Sequence, residues 1–186
     1  DDVTCFGLCD GLVSLLPSEG VPPYTYLWND PANQTNNSAS NLCAGNYVLT
    51  ITDADGCMKL DTITIVEPTL LEIDLDSMAL QHVMCNGECN GQVKVIPNGA
   101  TAPYTYLWSD ASSQTTSAAY GLCGGNYIIN VTDNNDCKST LLVTIEEPQK
   151  LLAVITDTLR LKCEYHCDAF ATVASSGGRE PYTYLW

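Results

Sequence analysis

Ten cysteines in a chain of 186 residues are the side chains with the most chemistry to offer. Cys5, Cys9, Cys43 and Cys57 recur as Cys85, Cys89, Cys123 and Cys137, each at an offset of 80 (85 minus 5, 137 minus 57). Cys163 and Cys167 begin a third series, 78 residues after Cys85 and Cys89. Thiols at fixed spacing either close disulfides in an oxidising compartment or hold a metal. A C-x3-C pair followed by a C-x13-C pair is an untidy match to the paired knuckles of a zinc site, so disulfides are expected and no metal. Such cysteine usage implies an extracellular address, at the cell surface or secreted. Four cysteines per copy allow three connectivities, and spacing alone leaves all three open.

Other groups offer less. Asp53-Ala54-Asp55-Gly56 resembles the opening of a calcium loop but lacks the distant bidentate carboxylate, and its counterpart Asp133-Asn134-Asn135-Asp136 shifts the charges. An Asx turn is expected there, with calcium in the joints as the minor alternative and otherwise no cofactor. Tyr24, Tyr26 and Trp28 fall on one side of an extended segment, either as a sugar-stacking platform or as core. With only two Phe in the chain, core is expected, and Trp28, Trp108, Tyr47 and Tyr127 are the candidate core aromatics. Asn130-Val131-Thr132 fits the N-linked sequon, as do Asn33-Gln34-Thr35 and Asn36-Asn37-Ser38. Asp61-Thr62-Ile63, Asp76-Ser77-Met78 and Asp157-Thr158-Leu159 look like a bacterial O-glycosylation motif, which makes Thr62, Ser77 and Thr158 candidate modification sites. His82 and His166 stand outside the repeated plan, and no nucleophile elbow, phosphate-cradling loop or zinc-hydrolase pair is present, so no catalytic residue is expected.

The elements that would position these groups are strands. PYTYLW stands at Pro23 to Trp28, Pro103 to Trp108 and Pro181 to Trp186, which marks one unit written three times. In NYVLTITD, Tyr47, Leu49 and Ile51 alternate with Val48, Thr50 and Thr52, and NYIINVTD repeats the pattern with Tyr127, Ile129 and Val131 inward. Val13 and Leu15 match Val93 and Val95, and Ile63 and Ile65 match Val143 and Ile145. Segments 30–41 and 110–121 read as turns between strands. An all-β fold of tandem immunoglobulin-like β-sandwich repeats of about 80 residues is expected, with PYTYLW as the central strand. Glu-Pro at 67–68 and 147–148 reads as the joint. The copies are then 1–68, lacking its first strand, 69–148, complete, and 149–186, truncated, with Cys163, Cys167 and Trp186 cut off from their partners. Proline joints without Gly/Ser tethers favour a stiff rod.

A net charge of -15 repels nucleic acid and anionic lipid, and no apolar run approaches the ~20 residues of a membrane helix. Neither nucleic-acid binding nor membrane insertion is expected of this segment.

The C-x-G-x-C, PYTYLW, LC-x-G-NY, Asp-rich turn and Glu-Pro together resemble the SprB-type repeats of the large gliding adhesins and other surface proteins of Bacteroidota. The resemblance covers essentially the whole chain. It implies β-sandwich modules strung in tandem and exported to the cell surface or beyond, often by the type IX route, with no ligand specified. It also implies a pairing, because simpler members carry only the cysteines matching Cys5 and Cys57. Cys5 is thus expected to join Cys57, Cys9 to join Cys43, Cys85 to join Cys137 and Cys89 to join Cys123. The function expected is that of a non-enzymatic stalk or fibre, with neighbouring repeats, and other copies in a filament, as partners. The rival is a repeated carbohydrate-binding module for surface polysaccharide.

Overall fold

The computed structural model describes residues 1–159 and 169–186, and among them the secondary structure is entirely β. Cys163, Cys167 and His166 lie outside the described residues. In the first copy, β1 (Gly11–Ser14) pairs with β3 (Ser38–Leu42). A second sheet has the order β2 (Thr25–Trp28), β4 (Gly45–Thr52), β5 (Met58–Ile65). The second copy repeats both. The strand β6 (Glu72–Leu75) adds to β7 (Gly91–Asn98) and β9 (Ala118–Leu122), while β8 (Thr105–Trp108), β10 (Gly125–Thr132) and β11 (Lys138–Ile145) form the other sheet. Beyond them β12 (Leu152–Leu159) pairs with β13 (Phe170–Ser176).

Alternation along β4 and β10 places Leu49, Ile51, Ile129 and Val131 inside, with Tyr47 and Tyr127 half-buried. Trp28 and Trp108 are buried. In the first copy Val3, Ala39, Leu42 and Ile65 complete the core around Trp28, and Tyr24, Tyr26 and Tyr47 pack against it. Removing this apolar area from water is the main favourable term in the fold. The strand starts are tight: a Cβ on Gly91 would lie 2.7 Å from Cγ2 of Ile145 and 2.8 Å from the Leu122 carbonyl oxygen.

Two expectations need correction. PYTYLW is not central: the sheet order places β4 in the middle and β2 at the edge, with β8 likewise at the edge. The loop after it covers that edge, since the Trp28 amide donates to the Gln34 carbonyl at 2.9 Å and the Trp108 amide to the Gln114 carbonyl at 2.9 Å. In the third copy the same residues form no strand, and Trp186 is exposed. Segments 30–41 and 110–121 are also more than turns, because they contain most of β3 and β9. Ser38, Ser40 and Asn41 lack strand preference, and pairing with β1 decides their conformation.

Contacts divide the chain into two compact units. The first comprises Asp1–Ile73, Pro97–Thr105 and Val131–Ser139, so it takes two segments from the second copy. The second comprises Asp74–Ile96, Tyr106–Asn130 and Thr140–Trp186.

Candidate functional site

The disulfides are the chemistry this fold positions. Within each copy, one pair follows from the strand ladder. Gly11 faces Leu42 in the β1–β3 register, so Cys9 and Cys43 meet just beyond the last rung and are bonded. Cys89 and Cys123 are bonded in the same way. The Tyr47 hydroxyl donates to the Cys43 carbonyl at 3.0 Å, and that of Tyr127 to Cys123 at 3.1 Å. These half-buried rings thus also hold the cysteine corner.

The other pairing differs from the one expected. Cys5 is bonded to Cys137, across a sequence separation of 132, and the Cys57 and Cys85 thiols are free and exposed. Strand length is the reason. The Val3 amide donates to the Val66 carbonyl at 3.0 Å, which pins Cys5 beside the end of β5, whereas Cys57 immediately precedes its start. The 8 residues of β5 at ~3.4 Å each set these poles about 27 Å apart, far beyond the ~7 Å Cα separation a disulfide tolerates. The same holds for Cys85, since the Val83 amide donates to the Glu146 carbonyl at the end of β11 and Cys137 precedes that strand. A Cys5–Cys57 or Cys85–Cys137 bond would require one strand to collapse. Within the first compact unit, the Cys5 pole instead meets the second copy's turn.

Both partners of the cross-copy bond are held by backbone-directed carboxylates. At the Cys5 pole, Glu67 of the Glu-Pro joint accepts the Gly7 amide at 2.7 Å, and Asp10 accepts the Thr4 amide and its hydroxyl. At the other, Asp133 Oδ1 accepts the amides of Asn135 and Cys137, both at 2.8 Å, and Oδ2 accepts that of Thr101 at 3.0 Å. The Asn135 side-chain amide then donates to the Thr4 carbonyl at 3.2 Å. Asp53 is engaged alike, by the amides of Asp55, Cys57 and Val21. Bonds from Cys57 and Val21 hold its carboxyl below the ordinary aspartate value. These are Asx turns whose oxygens are already engaged, and no cluster of metal-ligating side chains occurs among the described residues.

A further pair was invisible in the sequence pattern. Asp30 and Asp110 are buried in the loop after the tryptophan. Asp30 accepts the Gln34 amide at 2.8 Å, the Gln34 side chain at 3.0 Å and the Ala32 amide at 3.0 Å, and Gln34 in turn bridges to the backbone of Ser40. Asp110, Gln114 and Tyr120 repeat the network. Desolvation raises the Asp30 pKa, but the side-chain and backbone bonds from Gln34 and that from Ala32 outweigh it, so the carboxyl lies below the usual value. An aspartate with a lowered folded pKa stabilises the fold above its unfolded value near ~3.9, and that stabilisation is lost as pH falls through the lower folded value. Asp30→Asn is therefore expected to cost about 2 kcal/mol near neutrality, measured by urea unfolding. The gap to the parent should close in acid; a gap constant with pH contradicts this.

The remaining candidates are scattered. Thr62, Ser77 and Thr158 are exposed and Asn130 is half-buried on β10. Asp76, next to Ser77, pairs with Lys94 at 3.3 Å. The aromatic ladder presents no open stack in the first copy, because Trp28 is buried and its Nε1 donates to the Asn36 carbonyl at 2.9 Å, while Tyr24 and Tyr26 pack on the core. His82 Nδ1 accepts the Glu146 amide at 3.0 Å, a contact of the same pole.

The family model described as SprB repeat matches residues 1–33 and 80–113, which contain the C-x-G-x-C and PYTYLW segments of the first two copies. No curated protein matches the chain in sequence. Among solved structures, an amphioxus IgVJ-C2 molecule is similar at 15% identity and a TM-score of 0.37, over 78% of this chain and 98% of that one. A C-terminal 282-residue fragment of intimin, in complex with the intimin-binding domain of its translocated receptor, is similar at 14% identity and a TM-score of 0.37, over 78% of this chain and 59% of that one. The all-β class stands on the strands themselves.

Proposed function

We propose that this chain is a non-enzymatic structural segment of a large extracellular adhesin-type protein or surface filament, in which tandem immunoglobulin-like repeats of about 80 residues form a stalk. The observation that carries this reading is the Cys5–Cys137 bond, which links a cysteine of one sequence copy to a cysteine of the next. An intra-copy disulfide stabilises a fold; a cross-copy disulfide passes load from one copy to the next without routing it through either core. The matched SprB repeat segments and the use of disulfides support a cell-surface or secreted setting, with gliding motility and type IX export as its context. The acidic excess keeps such a rod soluble and away from nucleic acid. Neighbouring repeats are the partners, and other copies in a filament the extension of the same idea. Against the polysaccharide-binding alternative stands the first copy, where Trp28 is buried and Tyr24 and Tyr26 pack on the core.

Pulling on the two ends tests the stalk reading. In the oxidised chain, the 132-residue separation bridged by Cys5 and Cys137 cannot extend. At ~3.5 Å per residue, about 460 Å of contour should appear only after reduction. Equal contour lengths before and after reduction would remove the load-bearing role.

A further inference from the structure

The Cys57 and Cys137 turns are built alike and differ in what covers them. The Val21 amide donates to Asp53 at 3.2 Å, as that of Thr101 does to Asp133 at 3.0 Å. The Ala54 amide donates to the Val21 carbonyl at 2.9 Å, as that of Asn134 does to Thr101 at 2.9 Å. Over the second turn lie Thr4 and Cys5, and the Ala100 amide donates to the Thr69 carbonyl at 2.9 Å. Cys137 is accordingly 9% exposed and Asp133 5%. At the first turn, Cys57 is bonded to no cysteine among the described residues and is exposed. Pro17, Gly20, Tyr24, Asp53, Cys57 and Met58 line an open cleft of about 490 Å³, with Met58 71% exposed and the Cys57 thiol free.

We infer that this cleft is a receptor for the C-x-G-x-C pole of another copy of the repeat, and that Cys57 closes with its first cysteine the bond that Cys137 closes with Cys5. Each copy then carries one donor cysteine, Cys5 or Cys85, and one acceptor cysteine, Cys57 or Cys137, at opposite poles. The donor pole of the second copy is prepared in the same way. Glu147 accepts the Gly87 amide as Glu67 accepts that of Gly7, and Arg179 of the third copy donates to the Val83 carbonyl at 3.1 Å. The Gly178 amide donates to the Gln149 carbonyl at 2.7 Å, as that of Ala100 does to Thr69. Such a head-to-tail contact does not close on itself, so it propagates along a line of copies. Bond formation releases two protons and two electrons from the two thiols, and an oxidised disulfide such as oxidised glutathione takes them up as two thiols.

The inference rests on the repeat offset and the open cleft beside Cys57, and holds whether the chain bears load or binds a ligand. Its test uses the unmodified chain, so no variant has to fold. A synthetic peptide of residues 1–8, carrying the Cys5 thiol, is incubated with the oxidised protein in a glutathione redox buffer. The disulfide-linked adduct is then located by non-reducing peptide mass mapping. One adduct per chain is expected at Cys57, favoured at least about tenfold over Cys85 and over a peptide of the same composition scrambled around its cysteine. Equal labelling of both thiols, equal labelling by the scrambled peptide, or no adduct at Cys57 overturns the proposal.

Discussion

Trp108→Ala is expected to remove about 4 kcal/mol from the stability of the second copy, close to the whole margin of a small domain. The indole is 1% exposed, and its Nε1 donates to the Thr116 carbonyl at 2.9 Å. Truncation therefore leaves a cavity between the sheets and an unsatisfied carbonyl, and it loosens the loop that covers the β8 edge. Trp108→Phe should cost less, about 2 kcal/mol, because it keeps most of the apolar volume and loses only the donor. Urea midpoints of the oxidised proteins measure both. A loss below about 1 kcal/mol for the alanine variant would mean that the ring is not a core anchor.

Cys5→Ser is expected to destabilise the first unit by up to about 5 kcal/mol, the chain-entropy value for a loop closed across a separation of 132 residues. Cys137→Ser should match it, since either change opens the same bond. Cys57→Ser and Cys85→Ser should change little, because neither thiol is paired and both are exposed. This pattern discriminates between pairings: an intra-copy scheme would make all four substitutions costly. Denaturant unfolding of the four single variants against the parent, without reductant, reads it directly.

The sequence carried the strands where local period and burial agree. Tyr47, Leu49 and Ile51 alternate with Thr50 and Thr52, and a two-residue period has only one half-buried solution. The tryptophan was legible too, as a large ring in a chain poor in phenylalanine. The strand β3 was not, because Ser-Ala-Ser-Asn-Leu carries turn residues and becomes a strand only through its ladder to β1. Asp30 and Gln34 read as turn punctuation for the same reason, since their burial depends on folding the loop back over the β2 edge. The cysteine pairing was the largest gap. A fixed offset of 80 makes Cys5–Cys57 and Cys5–Cys137 equally regular in the sequence, and only the length of β5 separates the first two. The eight-residue strand itself was legible after Cys57, but the Val3–Val66 bond that pins Cys5 at its far end was not.

A covalent link between copies is read by proteolysis of the native protein after alkylation of free thiols, without reduction, with mass spectrometry of the fragments. The structure predicts a Cys5 peptide linked to a Cys137 peptide, with Cys57 and Cys85 alkylated. Links from Cys5 to Cys57 and from Cys85 to Cys137, with neither Cys57 nor Cys85 alkylated, would contradict it.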